Sequence, residues 1–180
     1  MKGIIILVDG FEDVEALVTI DILRRSKIDV DMVSLDKNEL NTQSNNKIVV
    51  SYLLSEVNLN DYDFLVIPGG KAVFNILDKD KRIDEVIDYF YNNKKLIATI
   101  CAAPRLVAKR GYFEGHNYTS FPGCVDNDAK GNKVNDGVVI SGNFICAKAM
   151  YYSTSFALAI VEKLLGEDAK SKVLKQIKGE

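Results

Sequence analysis

The chain has 180 residues, 47% hydrophobic and 27% charged, with 23 basic against 25 acidic side chains and a net charge of -2. That length fits one domain, residues 1–180, with an interior large enough for a real core, and the composition is that of a globular protein. No block of Lys or Arg stands out of the kind a phosphate backbone requires, so no nucleic acid partner is expected.

The first apolar run, "GIIILV" at 3–8, stops at Asp9. It is too short for a signal-peptide core or a membrane span, so a cytoplasmic protein with no membrane association is expected. Its β-branched character predicts a strand buried on both faces. "EDVEALVTIDILRRS" follows, with Val14, Leu17, Val18 and Ile22 at helical spacing. "DVDMVSL" alternates and predicts a second strand, the polar stretch 36–47 predicts a turn or loop, and "KIVVS" predicts a short strand.

"DFLVIPGG" is a further buried strand ending in a loop, and "RIDEVIDYFYNN" is an amphipathic helix. "KKLIATICAAPRLVAKRG" runs from strand straight into helix, with Gly111 as the stop. Residues 118–147 give short strands and turns, among them two strands about a Ser-Gly-Asn turn in "GVVISGNFICA". "SFALAIVEKLLG" is a strong helix with Gly166 past its end, and the basic "KSKVLKQIKGE" reads as a solvated helix face. Strands alternating with helices predict an α/β flavodoxin-like three-layer sandwich, a mostly parallel sheet with helices on both faces.

Ligands of such sheets sit at the carboxyl ends of the strands. Asp9-Gly10, Pro68-Gly69-Gly70 and Cys101 all lie there. A residue between strand and helix is held out on a sharp, often strained turn, and the following helix favours thiolate. On that reading Cys101 is a nucleophile of lowered pKa. The other reading is a small buried hydrophobe. Cys146 lies in an apparent strand and reads as packing, while Cys124 follows Pro122-Gly123 in a loop and is expected to be more exposed. The three cysteines have no zinc spacing and His116 has no ligand neighbours, so no metal, disulfide or cofactor is expected.

Glu12, Asp13 and Glu15 open the first helix, where acids favour the helix dipole. Glu15 sits at the edge of the apolar face. It is either an ordinary helix-edge glutamate or a desolvated carboxyl of raised pKa that carries protons. Asp21 is expected to make a structural hydrogen bond. Gly69 and Gly70 form either a tight turn or a pair presenting N–H groups to an oxyanion. No phosphate-cradling glycine fingerprint is present, which disfavours nucleotides.

The segments "DGFEDVEA", "DILRRS", "VIPGG", "ATICAAP" and "SFALAIVEKLLG", in this order along the chain, resemble the ThiJ/PfpI superfamily, in the DJ-one branch of the parkinsonism-associated protein deglycase. The resemblance implies a homodimer in which Cys101 is the reactive cysteine and Glu15 the carboxyl beside it. It implies that the N–H groups of Gly70 and Ala102 face the pocket, and that Arg25 lies near the pocket and dimer interface. Three departures stand out. Phe121 occupies the place of a histidine before proline that many members carry. Ala102 follows the cysteine where the protease-like and chaperone-like branches have histidine, so protease and glutamine amidotransferase chemistry are not expected. Lys148–Tyr152 replaces a Ser-Arg-Gly-Pro-Gly-Thr stretch, and Tyr151 and Tyr152 are expected to reshape or narrow the pocket.

The implied activity is a cofactor-independent glyoxalase of the glyoxalase III type, or a deglycase. Its substrates would be small reactive aldehydes, methylglyoxal or glyoxal, and their adducts, in protection against carbonyl and oxidative stress. The alternative is a redox-sensing stress-response protein acting through oxidation of Cys101 with little turnover.

Overall fold

A computed structural model describes residues 1–180. In chain order the elements are β1 (Lys2–Ile6), α1 (Asp13–Arg25), β2 (Asp29–Ser34), β3 (Glu39–Asn41), β4 (Lys47–Val49), β5 (Tyr52–Leu53), β6 (Phe64–Ile67) and α2 (Ala72–Asn75). They continue with α3 (Lys81–Asn92), β7 (Leu96–Ile100), α4 (Pro104–Ala108), β8 (Asn117–Tyr118), β9 (Asn132–Lys133), β10 (Val138–Ser141), β11 (Phe144–Ala147), α5 (Ser153–Leu165) and α6 (Glu167–Lys178).

Seven strands form one sheet in the order β10-β11-β7-β6-β1-β2-β5, parallel throughout except at the β10 edge. The central strands β1, β6 and β7 are apolar along nearly their whole length and buried on both faces, as the continuous Ile, Leu and Val runs require. The chain winds outward from β1 to β2, then returns to β6 on the other side of β1 and winds away through β7 to β11. Right-handed crossovers in opposite directions place α1 and α3 on opposite faces. α5 packs beside α1, and α6 beside α5. This is the expected flavodoxin-like architecture. The winding reverses between β1 and β6, which opens a crevice at the carboxyl ends of these strands. β7 lies next to β6, in a register that pairs Ile67 with Thr99, so Cys101 emerges at the edge of that crevice.

The buried face of α1 is rotated from the predicted one. Glu15, Ala16, Thr19, Ile20 and Leu23 face inward along with the predicted Ile22, while Val14 and Leu17 are exposed. The helix carries apolar residues around most of its circumference, so spacing alone does not select the inner side. The polar stretch 36–47 also differs from expectation. It contains β3, which pairs antiparallel with β4 as a small hairpin apart from the main sheet. Strands this short need an external anchor. Asp13 supplies one from the first turn of α1. Its Oδ2 accepts from Asn46 Nδ2 at 2.8 Å, from Thr42 Oγ1 at 3.4 Å and from the Ser44 hydroxyl. Asp13 is therefore a buried tether as well as a helix-dipole acid.

One further expectation changes with burial. Cys124 is buried, because the 121–127 segment folds back over the sheet end. His116 is half-buried, edge-on to Phe144 with ring centroids 5.1 Å apart and Nδ1 3.1 Å from Ser141 Oγ. No helix is long and apolar enough to cross a membrane.

The tether gives a stability prediction. Asp13→Ala leaves the hairpin without its charged acceptor and should cost about 2 kcal/mol in urea denaturation, with faster amide exchange at 41–47. An unchanged midpoint would show that the hairpin holds by other contacts.

Candidate active site

Cys101 follows β7 directly and has φ +64°, one of four residues other than glycine with positive φ. This is the strained elbow conformation expected of a residue whose side chain is held out at the sheet end. Two backbone bonds fix it. Its N–H donates to Ala147 O at 2.9 Å, and its carbonyl accepts from Phe121 N at 2.8 Å.

Glu15 reaches the same point from α1 and is 1% exposed. Its Oε2 accepts the Gly69 N–H at 2.7 Å. Its Oε1 is buried with no hydrogen-bond partner in the protein. Gly69 fits tightly between the two side chains. A Cβ there would lie 2.8 Å from Cys101 Cβ and 2.8 Å from Glu15 Oε2. Gly70 has φ +94°, and a Cβ there would meet Gly10 O at 2.5 Å. Both glycines are thus demanded by close approach, and Gly70 also by its dihedral.

Burial pushes the Glu15 carboxyl up to about 7, against the Gly69 hydrogen bond and the neighbouring thiol. The thiol does not follow the expected fall. Burial first, and the Glu15 carboxylate second, raise Cys101 above its ordinary range. The favourable helix dipole is small for a structural reason: α4 begins only at Pro104 and ends at Ala108, with a turn between it and the cysteine. The Ala102 N–H is the local group that favours thiolate. Cys101 and Glu15 therefore compete for negative charge, and a proton left on the carboxyl removes the charge that opposes thiolate formation.

Among the anticipated oxyanion donors, Gly69 is corrected: its N–H is committed to Glu15. The Gly70 N–H has no acceptor in the protein and borders the cleft, as does Ala102. Phe121 and Tyr151 also line this cleft of about 540 Å³. Tyr151 does not narrow it but stands at the rim, 85% exposed. Tyr152 turns away and packs over Gly137, where a Cβ would lie 2.1 Å from its ring. Arg25 is at the far end of α1, its Nε 2.6 Å from Asp21 Oδ2, and does not line the cleft of this chain.

Sequence reasoning missed Gln43, Lys71 and Phe74, which also line the cleft. Gln43 comes from the hairpin and bridges the cleft edge, donating to Glu12 Oε2 at 2.9 Å and accepting from Lys71 N at 2.8 Å. No sequence signal marked it. A larger groove of about 660 Å³ runs past Arg105, Arg110 and Lys130, but these cations are engaged in ion pairs with Asp78, Asp88 and Glu114. No group of three His, Cys, Asp or Glu side chains is placed to hold a metal ion.

An elbow cysteine facing a buried carboxyl at the switch point of a flavodoxin-like sheet defines a class of α/β proteins with a cysteine–carboxyl centre. The DJ-1/PfpI family model matches residues 1–163, and the chain belongs to that family. The dj-1beta protein of Drosophila melanogaster is 30% identical over 177 residues, covering 97% of this chain and 95% of that one. Its crystal structure superposes with a TM-score of 0.90 at 30% identity, over 98% of this chain and 96% of that one. DJ-1 homolog B of Arabidopsis thaliana is 31% identical over 164 residues, 90% of this chain but 37% of the longer plant protein. Deglycase PfpI of Pyrococcus furiosus is 27% identical over 150 residues, 82% of this chain and 90% of that one.

The raised carboxyl has a cost that pH exposes. Between about 4.5 and about 7 the folded state binds more protons at Glu15 than the unfolded state, so its contribution to stability falls as pH rises through that window. Glu15→Gln removes this dependence. The variant should gain on wild type by up to about 3 kcal/mol between pH 4.5 and pH 8 in denaturant titrations. A pH-independent difference would contradict the shift.

Proposed function

We propose that the chain is a cysteine-dependent glyoxalase that needs no cofactor, acting on methylglyoxal or glyoxal, with related deglycase action on their adducts. Protection against carbonyl and oxidative stress is the corresponding role. The observation that carries this reading is the buried Glu15 carboxyl, raised to about 7, set against the Cys101 thiol in one cleft. The pair supplies a nucleophile and a proton carrier without a histidine. The deglycase name of the Pyrococcus relative supports the same substrate class.

In the proposed sequence, ionised Glu15 takes the Cys101 proton as sulfur adds to the aldehyde carbon. The resulting hemithioacetal oxyanion is met by the unpaired N–H of Gly70 and by the Ala102 N–H, which turns from the sulfur to the new oxygen. Glu15 returns its proton to this oxyanion and, ionised again, takes a proton from the former aldehyde carbon and delivers it to the neighbouring carbonyl carbon, while the hydroxyl proton passes to the oxygen of that second carbon. The first carbon is oxidised by two electrons and the second reduced by two, giving a 2-hydroxyacyl thioester. Water cleaves the thioester, releasing lactate or glycolate and restoring the thiol. No external oxidant or reductant enters.

A homodimer and a cytoplasmic location belong to the same proposal. The exposed Val14 and Leu17 on α1, beside an apolar groove lined by Leu174 and Ile177, support a self-association face. A second reading, oxidation of Cys101 as a redox signal, is favoured by one observation. Glu15 Oε1 is buried without a partner in the residue that shares the cleft with Cys101, and a protonated carboxyl there can donate to a sulfinate oxygen.

Methylglyoxal turnover separates these readings. Cys101→Ser should abolish it, and Glu15→Gln should lower it by about 100-fold or more. The wild-type kcat/KM should rise with pH through about 7, where Glu15 becomes the base, and the Gln variant should lose that limb. Equal rates in all three proteins would reject the glyoxalase reading. Stoichiometric Cys101 oxidation by peroxide without aldehyde turnover would favour the redox one.

A further inference from the structure

The cleft above Cys101 is larger and more apolar than a three-carbon aldehyde requires. Large hydrophobic side chains exposed singly need no explanation, whereas a cluster of them does. Phe74, Phe121, Met150 and Tyr151 are 41%, 46%, 49% and 85% exposed, and all four line this one cavity with Cys101 and Glu15. Its volume of about 540 Å³ falls in the range that encloses ligands far bulkier than methylglyoxal.

The three aromatic residues are each supported by a neighbour or by their main chain. Phe121 is tied to the elbow itself, since its N–H donates to Cys101 O at 2.8 Å and its carbonyl accepts from Cys124 N at 3.2 Å. Phe74 lies under the Arg105 guanidinium, 5.9 Å from the ring centroid. Tyr151 stands edge-on to Tyr152 with centroids 5.1 Å apart and planes at 87°. Tyr152 is wedged over Gly137 and held by its N–H to Ala149 O at 2.8 Å. Aromatic walls supported in this way offer apolar ring surface on which a flat apolar group can pack. The polar lining is Glu12, Gln43 and Lys71, and Gln43 is already hydrogen-bonded to Glu12 and to the Lys71 N–H. Most of the remaining lining open to the second substituent of a ligand whose aldehyde reaches Cys101 is apolar, with Phe74, Phe121, Met150 and Tyr151 as its large side chains.

We infer that this cleft selects α-oxoaldehydes whose second substituent is a flat apolar group, an aryl ring being the simplest, over methylglyoxal. This rests on the glyoxalase reading above. The chemistry is unchanged: an aryl glyoxal plus water gives an aryl 2-hydroxy acid, with the aldehyde carbon oxidised and the ketone carbon reduced within the same molecule.

The test compares kcat/KM for phenylglyoxal, followed as mandelate, with that for methylglyoxal, followed as lactate. Wild type, Tyr151→Ala and Phe121→Ala are measured, with Tyr52→Ala on the distant edge strand β5 as a control. The two substrates differ in intrinsic reactivity, so the readout is the change in their ratio between proteins. The wild-type ratio should favour phenylglyoxal by at least tenfold, and each cleft variant should lower it by about tenfold, the size expected for lost apolar contact. The control should leave it unchanged. Tyr151 is largely outside the packed interior, so its variant should fold even if Phe121→Ala does not. Methylglyoxal turnover with a ratio that no variant alters would overturn the inference and leave the glyoxalase reading standing. Turnover of neither aldehyde would overturn both. A lower mass for Tyr151→Ala in light scattering would assign the aromatic patch to a second copy of the chain and would also overturn the inference.

Discussion

The site depends on one short hydrogen bond, from Gly69 N–H to the buried Glu15 carboxyl at 2.7 Å. It joins the segment after β6 to the helix after β1, and it does so directly beside the residue that ends β7. Gly69 has no room for a side chain because Cys101 and Glu15 press on it from both sides. That contact brings three strand ends to one point. The carboxyl is 1% exposed with one oxygen satisfied by that bond and the other buried without a hydrogen-bond partner, and its pKa rises accordingly.

The electrostatic result differs from the usual picture of a cysteine activated by a helix. Only a short helix stands behind Cys101, and the groups nearest the thiol are apolar surface and a carboxyl. Burial raises both acids, so neither site holds charge cheaply, and the thiol is raised further than the carboxyl. In the proposed reaction the thiol therefore gives up its proton only as sulfur bonds to the aldehyde carbon. Stability is given up for this at neutral pH, as is usual where a buried group serves function.

Much of the fold was legible in the sequence because its core strands are continuous apolar runs and its longer helices are periodic. The β3–β4 hairpin was not, because polar strands of three residues pair with each other and are held by Asp13, a contact 29 to 33 positions away in sequence. Cys101 could be singled out from its place at a strand end. Glu15 could be named only as one of two possibilities, since α1 shows apolar residues on most sides and its inner face is set by packing. The same limit applies to Tyr151 and Tyr152. Their bulk was visible, but which of them faces the cleft depends on Gly137, whose missing side chain makes room for the Tyr152 ring.

Glu15 and Cys101 form an interacting pair in which the carboxyl holds its proton near neutrality. Site-specific carbon NMR of the labelled Glu15 carboxyl, titrated in the intact protein, reads this directly. A midpoint near 7 is predicted, against 4.5 for an unperturbed glutamate. A midpoint near 4.5 would mean that Glu15 is an ordinary carboxylate at neutral pH, and the account of the site would fail.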